Sequence, residues 1–131
     1  MGNLGGGEDF IKIFHFQQDN SKEGRVLSTA RIGDIYMSRL VLDPGVTSGN
    51  YYHKKTRLMF YVGNNPVLAT FIQVNTGERR QVLFNPGEKA VHVPEYVALS
   101  TKNIGEEEAV IVFFSNNPIR SEDDVFPYDM E

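Results

Sequence analysis

The segment GNYYHKKTRL, residues 49–58, places two tyrosines and one histidine between a Gly-Asn pair and two lysines. Tyr51 and His53 are two positions apart, so their side chains share one face if the chain is extended. Histidine is a base suited to proton transfer near pH 7, and a tyrosine hydroxyl can serve as its acid partner. If this face is the interior of the fold, the spacing allows an acid–base couple; the alternative is a hydrogen-bonded tyrosine and histidine that fill the interior without a catalytic role.

The rest of the chain consists largely of short apolar segments rich in β-branched and aromatic residues, which favour strands. Clusters of Asn, Gly, Pro and Asp separate them at intervals of about 8–12 residues, which is typical of an all-β sandwich or barrel. Residues 42–50 are interpreted as a turn, and residues 121–131 as one helical turn or an irregular tail. The predicted strands cover residues 10–16, two parts of 25–42 with a break at 33–34, 57–62, 67–74, 80–84, 90–93 and 109–115.

The length of 131 residues is typical of one domain. We expect a flexible, glycine-rich leader at residues 1–9, followed by a single domain over residues 10–131. The chain has no cysteine, which excludes disulfides, thiolate nucleophiles and cysteine-based zinc sites. No apolar run approaches the roughly 18 residues of a membrane span. These features favour a cytoplasmic protein.

The net charge is −4 and the isoelectric point is about 5.4. This acidic balance argues against binding to nucleic acid through its phosphate backbone. Two short basic pairs, Lys54–Lys55 and Arg79–Arg80, are interpreted as solvated surface. Contact of one pair with an anionic ligand is the alternative.

Two segments resemble the two motifs of the cupin superfamily, whose fold is a double-stranded β-helix, or jelly-roll barrel. The first begins at Gly45 and reaches His53, and the second begins at Gly87 and ends at Asn103. The spacing follows the family closely, whereas several of the side chains differ. The resemblance covers residues 25–115. It implies an all-β jelly-roll fold and a homodimer.

Within the superfamily, GVTSGNYYHKK at residues 45–55 is similar to sugar-nucleotide enzymes of polysaccharide biosynthesis. These include keto-isomerases acting on dTDP-4-keto-6-deoxyhexoses and the cupin domain of capsular-polysaccharide reductases. The similarity implies a small, sugar-nucleotide-like ligand in the barrel. If the protein is active, the similarity implies a metal-independent isomerase or epimerase with Tyr51 and His53 as catalytic residues. The alternative is a non-catalytic cupin module that binds a small molecule or a protein.

The resemblance also places the metal ligands of the family at four positions: Tyr51, His53, Leu58 and Leu99. One imidazole among four positions cannot hold a divalent ion against water, and leucine offers no ligand atom. We therefore expect no bound metal and no other cofactor. A relocated metal site, in which His15 or His92 joins His53, is the remaining alternative.

Strand parity adds further candidates for contact with a ligand. An arginine at the mouth of a barrel suits a diphosphate, because its planar fork can meet phosphate oxygens in pairs. Leucines at the ligand positions would make the pocket more apolar than that of a metal-binding cupin. The predicted ligand-binding residues are Tyr36, Arg39, Arg57, Leu58, Tyr61, Phe71, Gln73 and Leu99.

Overall fold

The structure, a computed structural model, describes residues 10, 11, 13, 15–119, 121 and 123–131. Within these residues the chain forms eleven β-strands and no helix. The strands are β1 Gln17–Asp19, β2 Arg25–Ile32, β3 Ile35–Leu42, β4 Thr47–Tyr52, β5 Leu58–Asn64, β6 Val67–Gln73, β7 Arg79–Phe84, β8 Ala90–Val93, β9 Val97–Asn103, β10 Ala109–Ser115 and β11 Phe126–Pro127. The all-β prediction is confirmed.

The strands form two antiparallel sheets, one of six strands in the order β1-β2-β3-β10-β5-β8 and one of five in the order β11-β4-β9-β6-β7. Strands that are far apart in sequence, such as β3 and β10, are neighbours in the sheet. This crossing over between two facing sheets is the jelly-roll arrangement that was predicted. The described part of the chain contains no helix with the length and apolar character needed to cross a bilayer.

The core lies between the sheets and follows the two-residue period of the strands. In β5, Leu58, Phe60 and Val62 are buried while the residues between them are exposed. Phe60 lies at the centre of a group of phenylalanine rings, with centroid distances of 5.1 Å to Phe84 and 5.2 Å to Phe113. Each such aromatic pair contributes about 0.5–1.5 kcal/mol beyond the burial of its area. The middle of the barrel is therefore packed with apolar side chains.

Most of the predicted strands are confirmed, because buried and exposed side chains alternate clearly along them. The break predicted at 33–34 is the turn of the β2–β3 hairpin, in which Ile32 lies opposite Ile35. Two expectations were wrong. Residues 42–50, interpreted as a turn, contain the start of β4. The tail, interpreted as one helical turn or an irregular segment, is irregular in its described residues apart from the short strand β11.

The second wrong expectation concerns residues 10–16. The described residues of this stretch lie outside any strand, and β1 begins only at Gln17. Lys12 and Phe14, which belong to the same predicted strand, lie outside the described residues. The predicted leader at residues 1–9 also lies outside them.

Candidate functional site

Strand β4 contains a β-bulge within the segment GNYYHKKTRL, residues 49–58. Gly49 lies opposite Ser100 and Tyr51 lies opposite Leu99, so Asn50 is an extra residue without a partner in the register. Gly49 has a φ of +115°, and a Cβ atom there would lie 2.5 Å from the carbonyl oxygen of Leu99. Only glycine fits this close approach of two backbones.

The bulge changes the direction of the side chains that follow it. An extra residue shifts the two-residue alternation by one, so Tyr51 points to the same side as its partner Leu99, which is buried in the core. The Tyr51 ring meets the His53 ring edge-on, with centroids 5.2 Å apart. The two residues predicted as an acid–base couple are thus brought together at the edge of the core.

His53 is buried and is held by the chain that follows β10. Its Nε2 atom lies 3.0 Å from the carbonyl oxygen of Ile119. A carbonyl oxygen only accepts, so Nε2 carries the hydrogen and donates it. Burial lowers the pKa of His53, and the bond to Ile119 and the charge of Asp124 offset this only in part. The imidazole is therefore neutral near pH 7, and Nδ1 is the nitrogen that can accept a proton.

Asp124 closes the C-terminal tail onto the turn that follows His53. Its carboxylate accepts a hydrogen bond of 2.6 Å from Thr56 Oγ1, one of 2.9 Å from the Lys54 amide and one of 3.1 Å from the Lys55 amide. Burial alone would raise the pKa of Asp124, but these hydrogen bonds outweigh it and lower the pKa. The buried carboxylate is therefore ionised, and its oxygens accept hydrogen bonds from groups of the fold.

The rest of the tail runs along the edge of the five-stranded sheet. Strand β11 pairs with β4, with Phe126 opposite Tyr52 and Pro127 opposite Tyr51. The Lys54 ammonium lies 4.1 Å from the centroid of the Phe126 ring, a cation–π contact. The Tyr128 amide donates to the Asn50 carbonyl. The tail thus forms one wall beside Tyr51.

A cavity of about 360 Å³ lies next to Tyr51, between the N-terminal end of β2 and the edge formed by β4 and the tail. Its wall includes Lys22, Arg25, Ser48, Tyr51 and Pro127. The volume is within the usual range of small-molecule sites, about 300–1,000 Å³. This cavity is the candidate functional site.

Arg25 is the charged residue that distinguishes this cavity. It is only 5% exposed, and its Nη2 atom lies 3.4 Å from Asp19 Oδ2. Within the described part of the chain, its Nε atom has no hydrogen-bond partner. Hydrogen bonds from the Ser21 side chain and amide, with the charge of Arg25, lower the pKa of Asp19 to about 2. The long contact to this carboxylate leaves the guanidinium only partly satisfied.

Neither Arg25 nor Asp124 was predicted as a functional residue from the sequence. Arg25 could have been found from parity, because it is two residues before the core residue Leu27 and therefore shares its inward face. Nothing in the sequence distinguishes Asp124 from Asp123, since only the folded tail brings Asp124 to the turn at Lys54.

Several predicted ligand-binding residues lie away from this cavity. Arg39 and Tyr61 lie on the outer face of the six-stranded sheet, where the Arg39 guanidinium is 5.1 Å from the centroid of the Phe16 ring. Tyr36 lines a different cavity, with the Arg31 guanidinium 5.0 Å from its ring centroid. The structure does not bring these side chains together with Tyr51.

The remaining predicted ligand-binding residues are either exposed or packed in the core. Arg57 and Gln73 are exposed, and the Gln73 side chain accepts a hydrogen bond from Thr76. Phe71, Leu58 and Leu99 belong to the apolar core. Of the residues predicted from the sequence, Tyr51 is the one that lines the cavity beside Arg25.

The donor set does not fit the metal of the cupin family. Leu58 and Leu99 are buried among apolar side chains at two of the four ligand positions. In the residues that the structure describes, no group of three or more His, Asp or Glu side chains is arranged to hold a metal ion. His92 is exposed on β8 opposite Met59, on the outer face of the sheet, and His15 is exposed beside Tyr36. The structure does not bring either histidine to His53.

No family model and no curated protein sequence matches the chain. Solved structures do. A capsular polysaccharide assembling protein, CapF from Staphylococcus aureus, is 18% identical with a TM-score of 0.74, over 95% of this chain and 36% of that one. An oxalate oxidase is 17% identical with a TM-score of 0.66, over 75% of this chain and 53% of that one.

An oxalate decarboxylase from B. subtilis is 15% identical with a TM-score of 0.72, over 86% of this chain and 30% of that one. The chain thus spans about a third of the CapF chain and about half of the oxalate oxidase chain. At these identities the similarity establishes the fold. The chain adopts the double-stranded β-helix of the cupins.

Proposed function

We propose that the protein binds a small, anionic, sugar-nucleotide-like ligand in the cavity beside Tyr51, without a metal ion. The observation that carries this proposal is the buried, partly satisfied guanidinium of Arg25 at the cavity wall. A buried donor without a partner costs about 1–3 kcal/mol. A phosphate oxygen would supply an acceptor for which the planar fork of arginine is well suited.

The surroundings of Arg25 favour a ligand that combines an anionic group with hydroxyls. At the wall, Lys22 adds a positive charge and Glu23 a negative one, and Ser48 and Tyr51 add neutral groups that can donate and accept hydrogen bonds. A sugar bearing a phosphate or diphosphate has this combination of groups. The structural likeness to a capsular polysaccharide assembling protein is consistent with carbohydrate chemistry.

A second candidate function is proton transfer next to the carbonyl of a keto-sugar, as in an isomerase or epimerase. The contact between the Tyr51 and His53 rings, 5.2 Å between centroids, favours it. The neutral imidazole would accept the proton at Nδ1, because Nε2–H is bound to the Ile119 carbonyl. Tyr51 would supply a proton from the cavity side. A purely binding module would use the same cavity and leave His53 as a structural residue.

Binding is tested by thermal unfolding in the presence of dTDP-glucose, UDP-glucose, dTDP, phosphate, divalent metal ions or a chelator. A ligand at 100 times its dissociation constant raises the free energy of unfolding by about 2.7 kcal/mol. We expect this effect with at least one nucleotide sugar and no effect of the metal ions or the chelator. If no nucleotide sugar or nucleotide raises the melting temperature, the proposal is wrong.

The role of Arg25 is tested by the Arg25→Met variant. The matched control is Arg80→Met on β7, because Arg80 is exposed and far from the cavity wall. We expect Arg25→Met to weaken binding at least tenfold and Arg80→Met to leave it unchanged. Lys22→Met, at an exposed position, is expected to weaken binding without affecting the fold. Equal affinity in all three variants would refute the assignment.

The isomerase candidate is tested by exchange of deuterium from solvent into a dTDP-4-keto-6-deoxyhexose. If it is correct, Tyr51→Phe lowers the exchange rate by about 10²–10⁴, the usual contribution of a general acid or base. Tyr52→Phe is the control, because Tyr52 packs on the other side of β4 against Phe126 and Tyr128. Binding without exchange in the unmodified protein would eliminate the isomerase and leave the binding module.

A further inference from the structure

A second cavity, of about 320 Å³, lies on the outer face of the five-stranded sheet, beneath the end of the C-terminal tail. The sheet contributes Thr47 of β4, Ser100 of β9 and Thr70 of β6 to its wall, and the tail contributes residues 128–131. Ser100 and Thr70 alternate along their strands with residues of the core, so they point away from the barrel interior. We call this space the outer cavity.

A row of small side chains crosses the sheet beneath the outer cavity. Gly49, Ser100 and Thr70 are successive partners on β4, β9 and β6. The bulge requires glycine at position 49, and this glycine has no side chain to cover Ser100. On the tail side, Arg79 donates a hydrogen bond of 2.7 Å from Nη1 to the Met130 carbonyl. The fold therefore keeps a space open at this place and holds the tail over it.

The hydroxyl groups at the floor of the outer cavity retain hydrogen-bonding capacity. Ser100 is only 9% exposed, and within the described part of the chain its hydroxyl has no hydrogen-bond partner. Thr70 is 7% exposed, and its Oγ1 accepts a hydrogen bond of 3.1 Å from Gln81 Nε2, so its own hydrogen is still available to a ligand. A nearly buried hydroxyl without a protein partner marks a place where water or a ligand supplies the bond.

The charged groups at the wall of the outer cavity favour an uncharged ligand. Arg79 brings a positive charge, whereas Asp129 and Glu131 bring carboxylates. The Arg79 guanidinium is already bonded to a carbonyl of the tail, unlike the buried Arg25, whose Nε lacks a partner among the described residues. An anion therefore gains little from this cavity. A ligand whose hydroxyls both donate and accept matches its neutral side chains.

We propose that the outer cavity is a second binding site and that it takes a neutral carbohydrate, a sugar ring without a phosphate. The sugar hydroxyls exchange hydrogen bonds with Ser100, Thr70 and Thr47 on the sheet. The Tyr128 side chain, which is half-buried at the wall, offers an aromatic face to the C–H groups of the ring. The volume lies within the usual range of small-molecule sites, about 300–1,000 Å³.

NMR titration of the backbone amide signals tests this site with glucose, galactose and N-acetylglucosamine as neutral probes and inorganic phosphate as the anionic probe. We expect at least one sugar to shift the signals of Ser100, Thr70 and Tyr128, and phosphate to leave them in place. The wall residues that the outer cavity has in common with the cavity beside Tyr51 are Thr47 and Asn50. Since Arg25 is not among them, Arg25→Met should leave the sugar binding unchanged, and the two proposals can fail separately.

The variant Thr70→Val/Ser100→Ala removes both buried hydroxyls with little change of shape, and it should raise the dissociation constant of the sugar about tenfold. Thr101→Val is the matched control, because Thr101 is adjacent to Ser100 on β9 but shares the inward face of Leu99. Thr47→Val, at an exposed position, should weaken binding without affecting the fold.

Three outcomes would overturn the proposal. The first is that no neutral sugar shifts these signals, which would mean that only water fills the outer cavity. The second is that phosphate shifts them as strongly as a sugar does. The third is that the sugar binds equally well to Thr47→Val, to Thr70→Val/Ser100→Ala and to the control, or loses its affinity in Arg25→Met, which would place it in the cavity beside Tyr51.

Discussion

Replacing Asp124 by asparagine is expected to destabilise the fold strongly, although the two side chains have nearly the same shape. The carboxylate is 4% exposed and accepts hydrogen bonds from three donors: Thr56 Oγ1 and the amides of Lys54 and Lys55. An asparagine has one acceptor oxygen in place of two, and its amide group turns a donor toward one of these donors. The variant therefore leaves at least one buried donor without an acceptor.

The size of the loss follows from the difference between charged and neutral hydrogen bonds. A bond to a charged group contributes about 1.5–3 kcal/mol and a neutral one about 0.5–1.5 kcal/mol. With three donors on the Asp124 carboxylate, the loss is about 3 kcal/mol of unfolding free energy at pH 7. For a chain of this size, this lowers the melting temperature by roughly 10 °C.

The dependence on pH gives a second readout with a definite sign. The fold lowers the pKa of Asp124, so its ionised form stabilises the protein above the ordinary carboxyl pKa of about 3.9. This contribution is lost as the pH falls through the lower pKa of the folded state. The difference between the unmodified protein and Asp124→Asn should thus narrow below about pH 4.

Urea denaturation at pH 7 and at pH 3 measures both effects. Asp123→Asn is the matched control, because Asp123 is exposed and adjacent, and its loss should stay within about 0.5 kcal/mol. If Asp124→Asn costs no more than Asp123→Asn, the tail is not held by this carboxylate. A difference that is as large at pH 3 as at pH 7 would show that the charge of the carboxylate contributes nothing.

Three further predictions concern the bulge, the core and the histidine. Gly49→Ala should lower the free energy of unfolding in urea by more than about 3 kcal/mol, because the added Cβ meets the Leu99 carbonyl. Gly45→Ala is the control, also at positive φ but in open space, and should lower it by about 1 kcal/mol. Equal losses would contradict the bulge. Phe60→Ala should cost about 3–5 kcal/mol in thermal unfolding, and a loss below about 2 kcal/mol would mean that the barrel centre is not packed. The fold lowers the pKa of His53, so the free energy of unfolding should decrease as the pH falls below about 6.5. His53→Gln should remove this dependence on pH between pH 7 and pH 5. An unchanged dependence would assign it to other groups.

The strands that could be predicted from the sequence are those in which residues suited to burial and to exposure alternate, because this alternation makes the segment a strand with one buried face. Buried and exposed residues alternate along β5 and β10, and both strands were predicted. Strand β4 has the sequence TSGNYY, in which serine, glycine and asparagine favour turns. It becomes a strand because β9 pairs with it along one edge and β11 along the other. Such pairing partners cannot be read from the local sequence.

In the candidate site, too, some contacts follow from the local sequence, whereas others depend on residues that are far away along the chain. Tyr51 and His53 could be paired from their spacing alone, because both lie on one extended segment. Arg39 was predicted as a ligand contact from strand parity, yet it alternates with the core residue Leu40 and therefore lies on the outer face. Asp124 reaches the turn after His53 from 68 to 70 residues away, and no periodicity in the sequence indicates this contact.

The packed centre of the barrel restricts the chemistry that the fold can perform. Leu58 and Leu99 stand where cupin metal ligands would be, and phenylalanine rings fill the space between the sheets. Among the described residues, the cavity that Arg25 borders has Tyr51 in its wall, so a ligand bound there would meet the Tyr51–His53 pair from the side of Tyr51. Since Nε2–H of His53 is bound to the Ile119 carbonyl, any base catalysis must use Nδ1 of a neutral imidazole. Under the proposed function, Tyr51 is the member of the pair that would touch the ligand, and exchange with Tyr51→Phe decides between catalysis and binding.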